Sequence, residues 1–162
     1  MDKSVGKYLF KAMLWIFQVG LGIMILSFVL MVFSTGLYLD DSMSKFENIL
    51  ILGMWLLYFS MYFIVIRKLI LIVRSTEETP FINDNVKRFK LMGYCLLINS
   101  IIECIIGYKS GADASFQIMS IGGKGALTPP LIICIVASLM CFVMGDVFKK
   151  AIQIKDENDL TV

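Results

Sequence analysis

The chain has 162 residues, 58% of them hydrophobic, a mean hydropathy of +0.80 and a formal net charge of +2. Charged residues make up only 17% and histidine is absent. Such a composition excludes an ordinary soluble domain and leaves little for acid–base or metal chemistry.

Four stretches carry no charge: Ala12 to Leu39, Asn48 to Ile66, Leu91 to Ile102 and Gly125 to Gly145. A bilayer span needs about 20 apolar residues. The first and last qualify outright. The second does so with its continuation through Leu69 to Val73, and the third only if Glu103 is included. The reading is an all-α, four-helix transmembrane bundle in a single domain, 1–162, with spans near 12–35, 47–68, 90–108 and 127–147. Residues 69–89 form a connector and 148–162 a tail.

Lys3, Lys7 and Lys11 precede the first span. The apolar run after them is too long for a signal peptide and reads as a retained helix. Gln18, Gly20, Gly22 and Ser27 within it suggest a face turned to other helices. Ser44-Lys45-Phe46-Glu47 fits a capping box, which starts the second helix. Nothing but Gly53 interrupts the run from Lys45 to Arg74. Thirty helical residues reach about 45 Å, beyond the roughly 30 Å hydrocarbon core. Ile66, Ile70 and Val73 lie along one side of the surplus.

Pro80 then ends the run. Asn83 suits an N-cap and Asp84 the positive end of the next helix. Val86, Phe89 and Gly93 follow on one face, which predicts a hairpin of the second and third helices beyond the membrane. Of the fifteen Lys and Arg, only Lys45, Lys109 and Lys124 lie outside the N-terminal tail, the central region from Arg67 to Lys90 and the C-terminal tail. The positive-inside rule places both termini and the connector in the cytoplasm of a bacterial cell membrane. Helices two, three and four therefore carry cytoplasmic extensions.

Glu103, with Asn99 and Cys95 one and two turns before it, makes a polar stripe on the third helix. One reading is a proton- or cation-coupled intramembrane site at Asn99 and Glu103. The plainer reading is a carboxylate near the external end that reaches water or pairs with Lys109 or Lys124. Between Gly107 and Pro130, "GGKG" at Gly122 to Gly125 lacks phosphate-loop spacing and reads as a flexible connector. Pro129 and Pro130 fit a helix start. Cys134, Ser138, Cys141 and Gly145 alternate by four and three, a small-residue seam for helix packing. Cysteine spacing gives no metal site, and no catalytic residue or cofactor site is expected.

The tail "GDVFKKAIQIKDENDLTV" extends the last helix on an apolar face of Val147, Phe148, Ala151 and Ile152. Its acidic end is either loose or folded back, with Leu160 and Val162 over Val86 and Phe89. This tail and "PFINDNVKRFK" together resemble a bacterial family of small four-helix membrane proteins, the domain of unknown function 2975 family. The residues that carry the likeness are Pro80, Phe81, Asn85, Lys87, Arg88, Phe148, Lys149, Lys150, Glu157, Asn158, Asp159, Leu160, Thr161 and Val162. Ala151 departs from the glycine often found in members. The resemblance implies no enzyme activity. Members are often encoded beside a small helix-turn-helix regulator, which suggests a cytoplasmic partner of that kind. The expected role is thus a non-enzymatic interaction protein in the lipid bilayer, using those residues to bind its partner and making no direct contact with nucleic acid. Self-association stays open. The alternative is a small transporter or peptide-immunity protein using Asn99 and Glu103.

Overall fold

A computed structural model describes residues 3–34, 45–76, 80–110, 119–120 and 126–160. Four helices hold nearly all of them: α1 (Lys3–Ser34), α2 (Lys45–Ser75), α3 (Asn83–Ser110) and α4 (Pro129–Asp159). Each contains a segment long and apolar enough to cross a membrane. The chain is all-α, with the four long apolar helices that a four-helix transmembrane bundle requires. A two-residue antiparallel ladder joins β1 (Met119–Ser120) to β2 (Ala126–Leu127). It lies within the stretch read as a flexible connector, and it is too short to leave a periodic signal in the sequence. Gly122 to Gly125 and Ser44 fall outside the described residues.

The chain divides into two compact units, Met1–Ile70 and Leu71–Val162. In the first, α1 is apolar on all sides. Tyr8, Trp15, Ile16, Phe17 and Leu30 are all exposed. A β-carbon added at Gly20 or Gly22 would meet nothing within 4 Å, and Ser27 is exposed. The expected helix-facing role of these small residues is not seen there. Phe28 of α1 meets Phe59 of α2 at 6.3 Å, and Phe59 stacks on Trp55 at 5.9 Å. Tyr58 and Tyr62 pack edge to face one turn apart.

The second unit is built on α3 and α4. Met92, Cys95, Leu96, Asn99 and Ile102 of α3 are buried, as are Leu131, Cys134, Ser138 and Gly145 of α4. The small-residue seam is therefore real, with Cys141 only half-buried at its margin. Ser138 Oγ donates to Gly93 O at 2.9 Å, so the two backbones come close where one helix has no side chain and the other a small one. Pro129 and Pro130 occupy the first positions of α4, where their missing amides cost nothing. α2 runs unbroken to Ser75, as its sequence predicts, and α3 starts at Asn83 itself rather than being capped by it.

Candidate functional site

The described residues between α2 and α3 are tied to both helices by hydrogen bonds. A helix end leaves carbonyls without partners. Ser75 Oγ donates to Ile72 O at 2.7 Å, and Thr76 Oγ1 to Val73 O at 2.7 Å. Beyond Pro80, Ile82 N–H reaches Pro80 O, and Asn85 N–H reaches Ile82 O. Asn85 then closes the turn. Its side chain is fully buried, and its Nδ2 donates both to Ser75 Oγ at 2.7 Å and to Pro80 O at 2.8 Å. Its Oδ1 accepts from Arg88 Nη1 at 2.9 Å, and the same Nη1 donates to Leu71 O at 3.0 Å. One amide and one guanidinium thus clasp the last turn of α2 to the first turns of α3.

α4 covers the other side of α3. The Phe148 ring lies 5.9 Å from Phe81 and 5.2 Å from Phe89. A β-carbon at Gly145 would sit 3.5–3.7 Å from Lys90, Phe89 and Val86, so the helices touch there. One helical step on, Lys90 pairs with Asp146 at 3.8 Å. Farther into the apolar segment, Gly93 faces the Phe142 ring, which Tyr94 meets edge-on at 5.1 Å. The face Val86–Phe89–Gly93 therefore packs on α4, not on α2 as a simple hairpin would have it. Ile72, which the sequence pattern did not single out, is buried at the end of α2, whereas Ile70 and Val73 are half-buried.

The motif residues separate into two groups. Pro80, Phe81, Asn85, Arg88 and Phe148 converge on this junction and hold it together. Lys87, Lys149 and Lys150 are exposed around it, with Lys87 3.9 Å from Asp84. Glu157, Asn158 and Asp159 are exposed on a helix that continues beyond it, and Leu160 is exposed just past its end. Thr161 and Val162 fall outside the described residues.

Three expectations are corrected here. Asn85 and Arg88 face inward to Ser75, Pro80 and Leu71 instead of presenting a free surface. The acidic end is neither loose nor folded back, because α4 continues to Asp159 and Leu160 is 87% exposed. Phe148 covers Phe89 in its place. In the tail's apolar face, Ile152 is buried but Val147 is 51% exposed. Ser75 and Leu71, as partners of Asn85 and Arg88, escaped the sequence reading. The only signal was for Ser75, a polar residue closing a helix five positions before a proline.

The intramembrane stripe is partly inward. Cys95 and Asn99 are buried, and Glu103 is half-buried. Lys124 and the side chain of Lys109 fall outside the described residues. Among the described residues, no three His, Cys, Asp or Glu side chains gather as metal ligands.

Residues 10–162 match the model of a family described as "Protein of unknown function (DUF2975)". No curated protein and no solved structure matches the chain.

Proposed function

The chain belongs to the DUF2975 family of bacterial membrane proteins, and from that premise we propose a non-enzymatic regulatory role. The multi-pass protein holds a small cytoplasmic partner at its polar face, and a helix-turn-helix regulator is the kind of partner the family's setting suggests. One observation carries the reading. Motif residues from the connector, α3 and α4 build a single junction against the end of α2, and the exposed motif residues surround it or extend from it on α4. A junction held by a buried amide is a rigid platform, and Lys87 and the acidic helical tip give it charges of both signs to offer a partner. The excess of Lys and Arg at this end supports a cytoplasmic placement, with both termini inside.

Cross-linked pull-down from native membranes tests this. Deleting Asp156 to Val162, or Lys87→Glu, should reduce partner recovery several-fold while the protein still inserts. Arg88 is left alone, since its loss would open the clasp. If both variants retain every partner of the parent protein, the reading fails.

Complete burial of Asn99 favours a second reading, in which the bundle interior carries a transported ion or peptide. Under the regulatory reading, Glu103→Gln leaves the phenotype of the locus unchanged. Loss of that phenotype with the protein present in the membrane would favour transport.

A further inference from the structure

Among the described residues, the charges at the polar end of α3 and α4 do not cancel. Asp84 is met by Lys87 at 3.9 Å and Asp146 by Lys90 at 3.8 Å. Arg88 is committed inward to Leu71 O and Asn85 Oδ1. Lys149 and Lys150 are exposed and form no ion pair among the described residues. Among the described residues, the acids nearest these lysines are thus already paired, and two ammonium groups are left over.

Their depth is set by the helix. The charge-free run of α4 ends at Gly145, and a rise of 1.5 Å per residue puts both lysines about 6–8 Å past it. That is the level of lipid headgroups. Phe81 lies at the same level, 45% exposed and packed on Phe148, the residue before Lys149. It adds an apolar surface next to the lysines. The acids Asp156, Glu157 and Asp159 begin about 9 Å beyond Lys150 along the same helix. That distance is about one Debye length at physiological salt. An anionic surface would thus attract the lysines strongly and repel the acidic tip only weakly.

We infer that Lys149 and Lys150, with Phe81 beside them, form a docking surface for the anionic headgroups of the surrounding bilayer. Phosphodiester oxygens supply the counter-charge to the two ammonium groups. The surface is continuous with the apolar face of α4 that the lipid chains cover. Bound headgroups also fix the tip of α4 pointing away from the membrane, toward water. The inference rests on the membrane-spanning fold and not on the partner reading.

Native mass spectrometry of the purified full chain, offered equal phosphatidylglycerol and phosphatidylcholine, tests it. The parent protein should retain phosphatidylglycerol in preference. Each basic residue near an anionic surface contributes about fivefold in affinity, so Lys149→Gln with Lys150→Gln should cut the preference by up to about thirtyfold. Lys155→Gln, farther out, should leave it intact. Equal retention of the two lipids, or an undiminished preference in the double variant, overturns the inference. Displacement of phosphatidylglycerol by millimolar inorganic phosphate would assign the lysines to a soluble anion and overturn the bilayer as the source. All three positions are exposed, so these variants keep the fold, and no partner enters the measurement.

Discussion

α1 and α3 are both apolar helices of membrane-spanning length, yet they are built for different neighbours. In the most apolar window of α3, 44% of residues are buried inside the protein; in that of α1, none are. Both contain glycines. At Gly93 of α3 an added β-carbon would meet the Phe142 ring at 2.8 Å, whereas at Gly20 and Gly22 of α1 it would meet nothing. Glycine within an apolar run is therefore no sign of close helix packing on its own. What marks α3 is a set of buried polar or small residues, Asn85, Gly93, Cys95 and Asn99, matched by Cys134, Ser138 and Gly145 on α4.

The largest effect is expected at the polar end of that pair. Asn85→Ala removes three hydrogen bonds and leaves Arg88 held only by Leu71 O and Ser75 Oγ only by Ile72 O. The purified protein should lose about 2–4 kcal/mol, on the scale of about 1 kcal/mol per bond plus the cost of orphaned groups. Chemical unfolding in detergent measures this. If Asn85→Ala unfolds like the parent, the clasp does not hold the junction.

Next comes a change of sign between the two helices. Gly93→Ala forces its methyl against Phe142 and should destabilise by about 1–3 kcal/mol. Adding Phe142→Ala should recover part of that loss. Gly22→Ala finds open space and should stabilise by up to about 1 kcal/mol through helix propensity alone. Equal responses at Gly93 and Gly22 would erase the distinction drawn between α1 and α3.

The smallest effect belongs to Ser138→Ala, which deletes one hydrogen bond to a backbone carbonyl that the helix already uses. Interhelical hydrogen bonds in membranes average about 0.6 kcal/mol. A thermal shift of the α3–α4 unfolding transition should register this loss, and a loss several times larger would mean the hydroxyl does more than bridge the two helices.

Much of the fold was legible in the chain because lipid imposes simple rules. Long uncharged runs gave the four helices, Pro80 and Pro129 gave two boundaries, and the four-three spacing from Cys134 gave the α3-facing seam. The site was half legible. Its residues were recognisable as a group, but not their direction. An asparagine near a helix start reads as a capping or surface group. Whether its amide points inward depends on Ser75, ten residues earlier. An arginine in a basic run reads as a surface charge, and only the approach of Leu71 O makes it a clasp. The acidic end of α4 misled for another reason. Its charges suggested a solvated tail, but residues 153–159 hold no glycine or proline, so nothing stops the helix.

The clasp also sets an order of assembly. The bonds of Asn85 to Ser75 and Pro80 span ten and five residues, whereas that of Ser138 to Gly93 spans 45. Closing the longer loop costs about 1.3 kcal/mol more than closing the ten-residue one, by the logarithmic dependence on length. As the chain emerges from the ribosome, the α2–α3 turn can therefore close before α4 has been made. Val86, Phe89 and Gly93 then wait on a preformed edge for Phe148, Gly145 and Phe142 to arrive. An error in the clasp would be inherited by every later step of insertion.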